Sequence, residues 1–183
     1  ASLFTFLTDI GKKKILIDIM SNEGREILNN LIRKSDMVVI NAVNRQIIKL
    51  GLDEKSLQAI NPGVLFCRLD AFGGPIINAD KRSNYIGYDD VIQSFSGIMS
   101  RFGGPQTPEE HAHLGTLDVN CGYSGGLAQT VALFHKRRTG QHVRCCTSLS
   151  AVSNLIQIKY VVDYDKRGLF NEPSGRNSLG YHS

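Results

Sequence analysis

Tryptophan is absent from this chain of 183 residues, so Phe and Tyr supply all of its aromatic rings. Long apolar runs are missing too. None reaches the roughly 18–20 residues that a bilayer-spanning helix needs, so no membrane span is expected. The opening stretch, ASLFTFLTDIGKKK, lacks the pattern of a secretory leader: its apolar part is short, and its charges follow rather than precede it. Cysteine occurs at 67, 121, 145 and 146, but never as a CxxC pair, which removes the usual framework of a zinc site. Cys145 and Cys146 are neighbours in an expected strand and so point to opposite faces, a poor arrangement for pairing. All four read as reduced thiols in or near a core, which fits a cytoplasmic protein. No GxGxxG or Walker glycine loop is present, which argues against a plain nucleotide-binding module.

Charge of one sign is also scarce. The formal net charge is +4, too weak to argue for nucleic acid but suited to a small anionic ligand. Lysines and arginines group at Lys12 to Lys14, at Lys81-Arg82 and at His135 to Arg138, without the interleaved aromatics of a nucleic-acid platform. Each group reads first as a solvated surface. What the sequence does hold is apolar matter for one domain with a real core, since 42% of its residues are hydrophobic.

The apolar pattern predicts an α/β order. Residues 14–19, KILIDI, alternate as a strand does. Ser21 opens a helix through Lys34 with Ile27, Leu28, Leu31 and Ile32 on one face. A strand is expected at 37–41, helical patches at 46–49 and 54–60, a turn at Asn61-Pro62-Gly63 and a buried strand at 64–69. This β-α-β-α-β rhythm implies a parallel sheet with helical crossovers. Residues 70–87 break the rhythm with glycines and polar residues, as a functional loop does. Further helices are expected over 89–102, from Asp118 to Arg138 and from Ala151 to about Lys166, with a strand at 143–149. The tail, 168–183, has no hydrophobic period and reads as a linker.

The stretch LGTLDVNCGYSGGLAQTVALFHKRRTGQ carries the clearest hint of chemistry. One carboxylate, Asp118, stands at the start of an apolar helix among glycines, and a basic cluster closes that helix. An Asp in this position is ordinarily an N-cap. It is also the candidate nucleophile if the chain is an enzyme, and helix-start N–H groups with the helix dipole would hold it ionised. His111 and His113 beside Glu109 and Glu110 have the makings of a metal cluster, but an exposed polar loop is the simpler reading, and no metal is expected.

Four segments together resemble the class III CoA-transferases, the CaiB/BaiF family. GKKKILIDIMSNEGREILNNLIRKSDMVVIN is similar to that family's basic turn, strand, "GREIL" helix and second strand. KLGLDEKSLQAINPGVLFCRLDAFG, GYDDVIQSFSGIMS and ALFHKRRTGQ resemble its "LGL", "YD…SG.M" and "HR.RTG" runs, in the family's order and with compatible spacing. The resemblance implies an α/β fold, a Rossmann-like parallel sheet flanked by helices. Its nucleophilic aspartate falls on Asp118, seventeen residues before His135 and four before Gly122. Its CoA-binding strip falls on Asn41, Ala42, Gln46, Lys49 and Leu50. Gly122 and Tyr88 would belong to the oxyanion or substrate pocket. Asp70, where the family more often has a small residue or Lys, would repel phosphate.

The implied activity is acyl-CoA:carboxylate CoA transfer through a covalent aspartyl intermediate, with coenzyme A entering as the acyl-CoA substrate. The implied partners are acyl-CoA, a small carboxylic acid, and a homodimer mate or tandem partner domain, with no nucleic acid or membrane. The chain resembles the centre of a longer polypeptide: one domain over 1–183, incomplete relative to the family. EEHAHLGTLDVNCGY and TSLSAVSNLIQ are most similar to long tandem members, some of which act on dimethylsulfoniopropionate. Two other readings stay open. One is a non-catalytic scaffold half of a tandem protein. The other is a CoA-thioester racemase or lyase on the same fold, with His113 as a candidate partner of Asp118.

Overall fold

The computed structural model describes residues 8–74, 81–104, 106–111 and 115–166. Its centre is a parallel sheet of three strands in the order β1-β2-β3: β1 is Met37–Ile40, β2 is Leu65–Asp70 and β3 is Cys145–Ser148. Met37 pairs with Leu65 on one side of β2, and Cys67 pairs with Cys145 on the other. Helices connect the strands, as parallel pairing requires. The α/β, Rossmann-like class expected from the sequence is present.

Alternation along β2 sends its side chains into two separate cores. Val64 and Phe66 join Val38 and Ile40 against the first three helices, α1 (Asn22–Arg33), α2 (Asn44–Lys49) and α3 (Glu54–Ile60). Leu65, Cys67 and Leu69 face the other way and pack with Cys145 on Ala128, Ala132 and Leu133. Those three residues belong to the long helix α6 (Thr116–Thr139). A third core joins α6 to α4 (Asp89–Ser96), α5 (Ile98–Gly103) and α7 (Leu149–Ile156) through Ile92, Ile98, Leu117 and Val152. The sheet is therefore covered on both faces, and the C-terminal end of β2 opens between the layers.

Local chemistry fixes the helix ends. The Ser21 hydroxyl accepts the Gly24 N–H at 3.0 Å and starts α1. Asp53 does the same for α3, accepting from the Ser56 N–H at 3.1 Å. The Asn61 amide donates to the carbonyls of Ile32 and Ser35, which ties the end of α1 to the turn before β2.

Three expectations need correction. KILIDI (14–19) is not a strand: Leu16 is fully exposed, and no described strand lies beside it to complete a ladder. Asp18 instead makes the turn into α1, accepting from Met20 N–H and from the Ser21 hydroxyl. The single helix expected over 89–102 is two, because Gly97 adopts φ 82°, a left-handed stop that ends α4. The last expected helix is also broken. Gln157, buried, divides α7 from the short α8 (Ile158–Val161), and its amide donates to Ser96 and Ser153 carbonyls. The proposed tail, 168–183, lies outside the described residues.

Candidate functional site

The start of α6 is built without a local cap. Gly115 stands at the cap position with φ 75° and has no side chain to receive the first helical N–H groups. Only a residue without Cβ suits that backbone, and a Cβ there would lie 3.2 Å from the Asp118 Cβ. The missing acceptor arrives from α4. Asp89 Oδ2 accepts the Leu117 N–H at 2.6 Å and the Asp118 N–H at 2.8 Å. Its other oxygen accepts from the Gln93 amide, and Gln93 is fully buried. Gln93 is fixed in turn by the His111 backbone, whose N–H donates to Gln93 Oε1 at 2.7 Å.

Asp118 is thus the third residue of α6 and not its N-cap, which corrects one expectation. Its ionisation is corrected as well. Burial pushes its carboxyl above the usual carboxylate range, and the negative charges of Asp89 and Asp90 push the same way. The helix-start N–H groups expected to hold Asp118 ionised are occupied by Asp89.

Asp118 borders a cleft of about 520 Å³ at the C-terminal end of β2. Clefts at this end of a parallel sheet are where such folds usually hold ligands. Asn41, Ala42 and Gln46 line the opposite wall, and Tyr88 and Gly122 lie on the Asp118 side, so six of the eight residues singled out in the sequence meet here. The remaining two do not reach the lining: Lys49 is exposed at the end of α2, and Leu50 is the residue that closes that helix.

Gly122 sits one turn above Asp118, and nothing lies within 4 Å of where its Cβ would be. Its N–H falls inside the helical ladder. What this position offers a ligand is therefore room rather than a free donor. Gly125 plays another part: a Cβ there would meet Leu69 Cδ2 at 2.8 Å, so this glycine lets α6 press onto β2.

Several lining residues escaped sequence reasoning. Arg45 and Arg82 bring positive charge to the cleft, and Tyr85 and Cys121 contribute surface. Burial raises the Cys121 thiol, so it is a wall rather than a thiolate. Phe72 stands edge-on to Tyr85 and Phe95, with ring centroids 6.1 and 5.5 Å away. The Arg82 guanidinium lies 5.5 Å from the Phe95 ring. Asn84 caps the other wall, its side-chain oxygen accepting the Arg45 N–H at 2.7 Å.

The repulsion expected from Asp70 is offset. Arg68 Nε lies 2.7 Å from Asp70 Oδ1, and both side chains are almost fully buried. Arg68 also donates to Asn44 Oδ1 at 2.7 Å, joining the pair to the start of α2. Burial raises the Asp70 carboxyl, and Arg68 opposes that rise.

The His111 ring lies against Phe102, with centroids 4.8 Å apart, and Nδ1 is 3.2 Å from the Thr116 hydroxyl. Among the described residues no group of three or more His, Cys, Asp or Glu is placed to hold a metal ion. His113 lies outside the described residues.

The sequence profile of CoA-transferase family III matches residues 1–183. The chain belongs to that family. Among family relatives, the CoA-transferase/lyase DddD of Marinomonas sp. (strain MWYL1) is 59% identical over 99% of this chain, which spans 21% of its length. The succinate–glutarate CoA-transferase of Agrobacterium fabrum is 33% identical over 74% of the chain, which matches 34% of that enzyme. The chain thus spans about a fifth of the one relative and a third of the other. Among solved structures, a CaiB/BaiF family protein from Brucella suis superposes with TM-score 0.66 and 29% identity, covering 81% of this chain and 38% of that one. Rv3272 of M. tuberculosis gives TM-score 0.72 over 81% of this chain and 41% of its own, at 23% identity, a likeness of fold.

Proposed function

We propose that this chain carries the nucleophile and one wall of the CoA site of an acyl-CoA:carboxylate CoA-transferase. The observation that supports this reading best is the meeting of Asp118 and Gly122 with Asn41, Ala42 and Gln46 across a single cleft. Family membership and relatives named as CoA-transferases point the same way.

The chemistry suits a lone carboxylate. An Asp118 oxygen adds to the thioester carbonyl, and the C–S bond breaks to give a mixed anhydride and CoA thiolate. The thiolate then adds to the aspartyl carbonyl and expels the acyl group as its carboxylate, leaving an aspartyl-CoA thioester. An acceptor carboxylate repeats these steps in reverse and leaves as its CoA ester, restoring Asp118. Charge on both nucleophiles is present from the start, so neither needs a base. The raised pKa of Asp118 makes its anion the more basic, hence more nucleophilic. Arg45 and Arg82 offer the positive charge that CoA phosphates need. The rest of the CoA site, and the mate or tandem domain that completes it, fall to parts of the protein beyond this chain.

A second reading has one observation in its favour: the 59% identical relative is named a transferase/lyase. A CoA thioester held beside a basic carboxylate is open to loss of its α-proton, and in this reading Asp118, freed after transfer, takes that proton. Dimethylsulfoniopropionate is the acceptor to try first for this reading.

Hydroxylamine trapping tests the proposal. The full-length protein is incubated with a panel of acyl-CoAs, quenched with hydroxylamine and mapped by mass spectrometry. A hydroxamate on Asp118, absent in Asp118→Asn, supports the transferase. No adduct from any donor, in protein that binds CoA, overturns it.

A further inference from the structure

Asp89 is buried, yet the transfer steps give it nothing to do. It is the first residue of α4, and the cap position of that helix, Tyr88, supplies no side-chain bond. Its carboxylate thus stands at the start of α4 and serves the start of α6, which has no local acceptor. One oxygen takes the two N–H groups of Leu117 and Asp118. The other takes Gln93, which the His111 backbone holds from both directions, through His111 N–H at 2.7 Å and His111 C=O at 3.2 Å. Every neighbour of this carboxylate is thus itself fixed.

We propose that Asp89 is the positioning residue of the nucleophile: it sets the backbone of Asp118 by capping α6 from another helix. The inference rests on the reading of Asp118 as nucleophile. Gly115 completes the device. With an ordinary capping side chain there, α6 would cap itself, and the acceptor would bring no second charge beside Asp118. The left-handed glycine leaves the N–H groups to a carboxylate instead.

The charged and titratable groups around Asp118 limit what else could set its ionisation. Burial raises its pKa first, and the charges of Asp89 and Asp90 on α4 add to that rise. Cys121 lies one turn along its own helix and is neutral at physiological pH. Across the cleft stand Arg45 and Arg82, with Asp70 neutralised by Arg68, and Tyr88 borders the same space. His111 packs beneath, against Thr116.

The test uses a readout that does not depend on turnover. Carbodiimide modifies a carboxyl in its protonated form, so labelling of Asp118, followed by mass spectrometry across pH, reports its titration in the full-length protein. Hydrogen exchange of the peptide containing Leu117 and Asp118 reports the cap. Asp89→Asn keeps one oxygen and loses the charge. The expected result is a labelling midpoint moved to lower pH, exchange of that peptide faster by about tenfold or more, and hydroxamate formation slower by about tenfold or more. Asp90→Asn removes charge without touching the cap, so it moves the midpoint in the same direction and leaves the exchange unchanged. An unchanged midpoint and unchanged exchange in Asp89→Asn overturn the proposal. So does an equal exchange effect from Asp90→Asn. If the midpoint and exchange shift as expected but no donor acylates Asp118, Asp89 still positions this carboxylate, and the reading of Asp118 as nucleophile fails.

Discussion

Arg68 holds Asp70 at 2.7 Å, with 4% and 7% of their side chains exposed, where β2 ends against the cleft. Two charges this deep remain stable only as a pair, because each would otherwise lose its water without replacement. Gly74 leaves them room, since a Cβ there would meet Asp70 Oδ2 at 2.8 Å.

Asp70→Asn removes the counter-charge of a buried guanidinium. The expected loss is about 3–5 kcal/mol of stability, read by chemical denaturation. Arg68→Met combined with Asp70→Leu takes both charges away and recovers more than half of that loss. A single mutant as stable as the parent would show the pair to be open to water.

The raised pKa of Asp118 makes its ionisation unfavourable to the fold. The folded state binds the proton more tightly than the unfolded state, so stability from this group is fully present below the usual value of 3.8 and lost as pH rises through the folded value. Asp118→Asn is therefore expected to melt slightly higher than the parent at pH 7, on the order of a degree. The difference should fade in acid as Asp118 becomes protonated in both states. Melting curves from pH 3 to 8 check this, and a mutant that melts lower at pH 7 contradicts it.

Two glycines in one helix should answer oppositely to alanine. Gly122→Ala meets open space in the protein, so α6 gains about 1 kcal/mol of helix propensity. Its methyl enters the cleft beside Asp118, so acyl transfer is expected to fall at least about tenfold. Gly125→Ala drives a Cβ to 2.8 Å from Leu69 Cδ2 and is expected to cost about 1–3 kcal/mol through forced repacking. Full transfer activity in Gly122→Ala would remove the cleft from the chemistry.

Cys67 lies against Cys145, with sulfurs 3.2 Å apart, in the buried centre of the sheet. Burial first, then the hydrogen bond shared with Cys145, pushes its thiol up to about 12. Iodoacetamide at pH 8 should leave Cys67 unmodified in the native protein for hours and alkylate it within minutes in denaturant. Rapid native labelling would mean that the sheet opens.

The elements that bury one continuous face were legible in the sequence. Ser21 and the run Ile27 to Ile32 gave α1, and the boundaries of α3 and β2 came within a residue. KILIDI misled because alternation records a surface fit for a strand, whereas a strand also needs a neighbour. Asp118 stood out as a candidate through the glycines around it and, by the family resemblance, through its spacing from His135. Its surroundings were not legible. Asp89 and Asp90 read as ordinary acids in the first turn of a helix, and nothing nearby in sequence reveals that Asp89 serves another helix. Arg68 in an apolar strand was likewise silent until Asp70 and Asn44 stood beside it.

The two helices that flank the cleft share one debt. The start of α2 receives its acceptor from Asn84, 39 residues further along, and the start of α6 receives its acceptor from Asp89, 28 residues back from Leu117. Neither can finish its first turn from its own segment. The stretch from Ser83 to Asp89 acts as a keystone that must arrive before either wall is firm. The cleft takes its shape only once that stretch has docked, just as the sheet waits on Cys67 and Cys145, 78 residues apart in sequence.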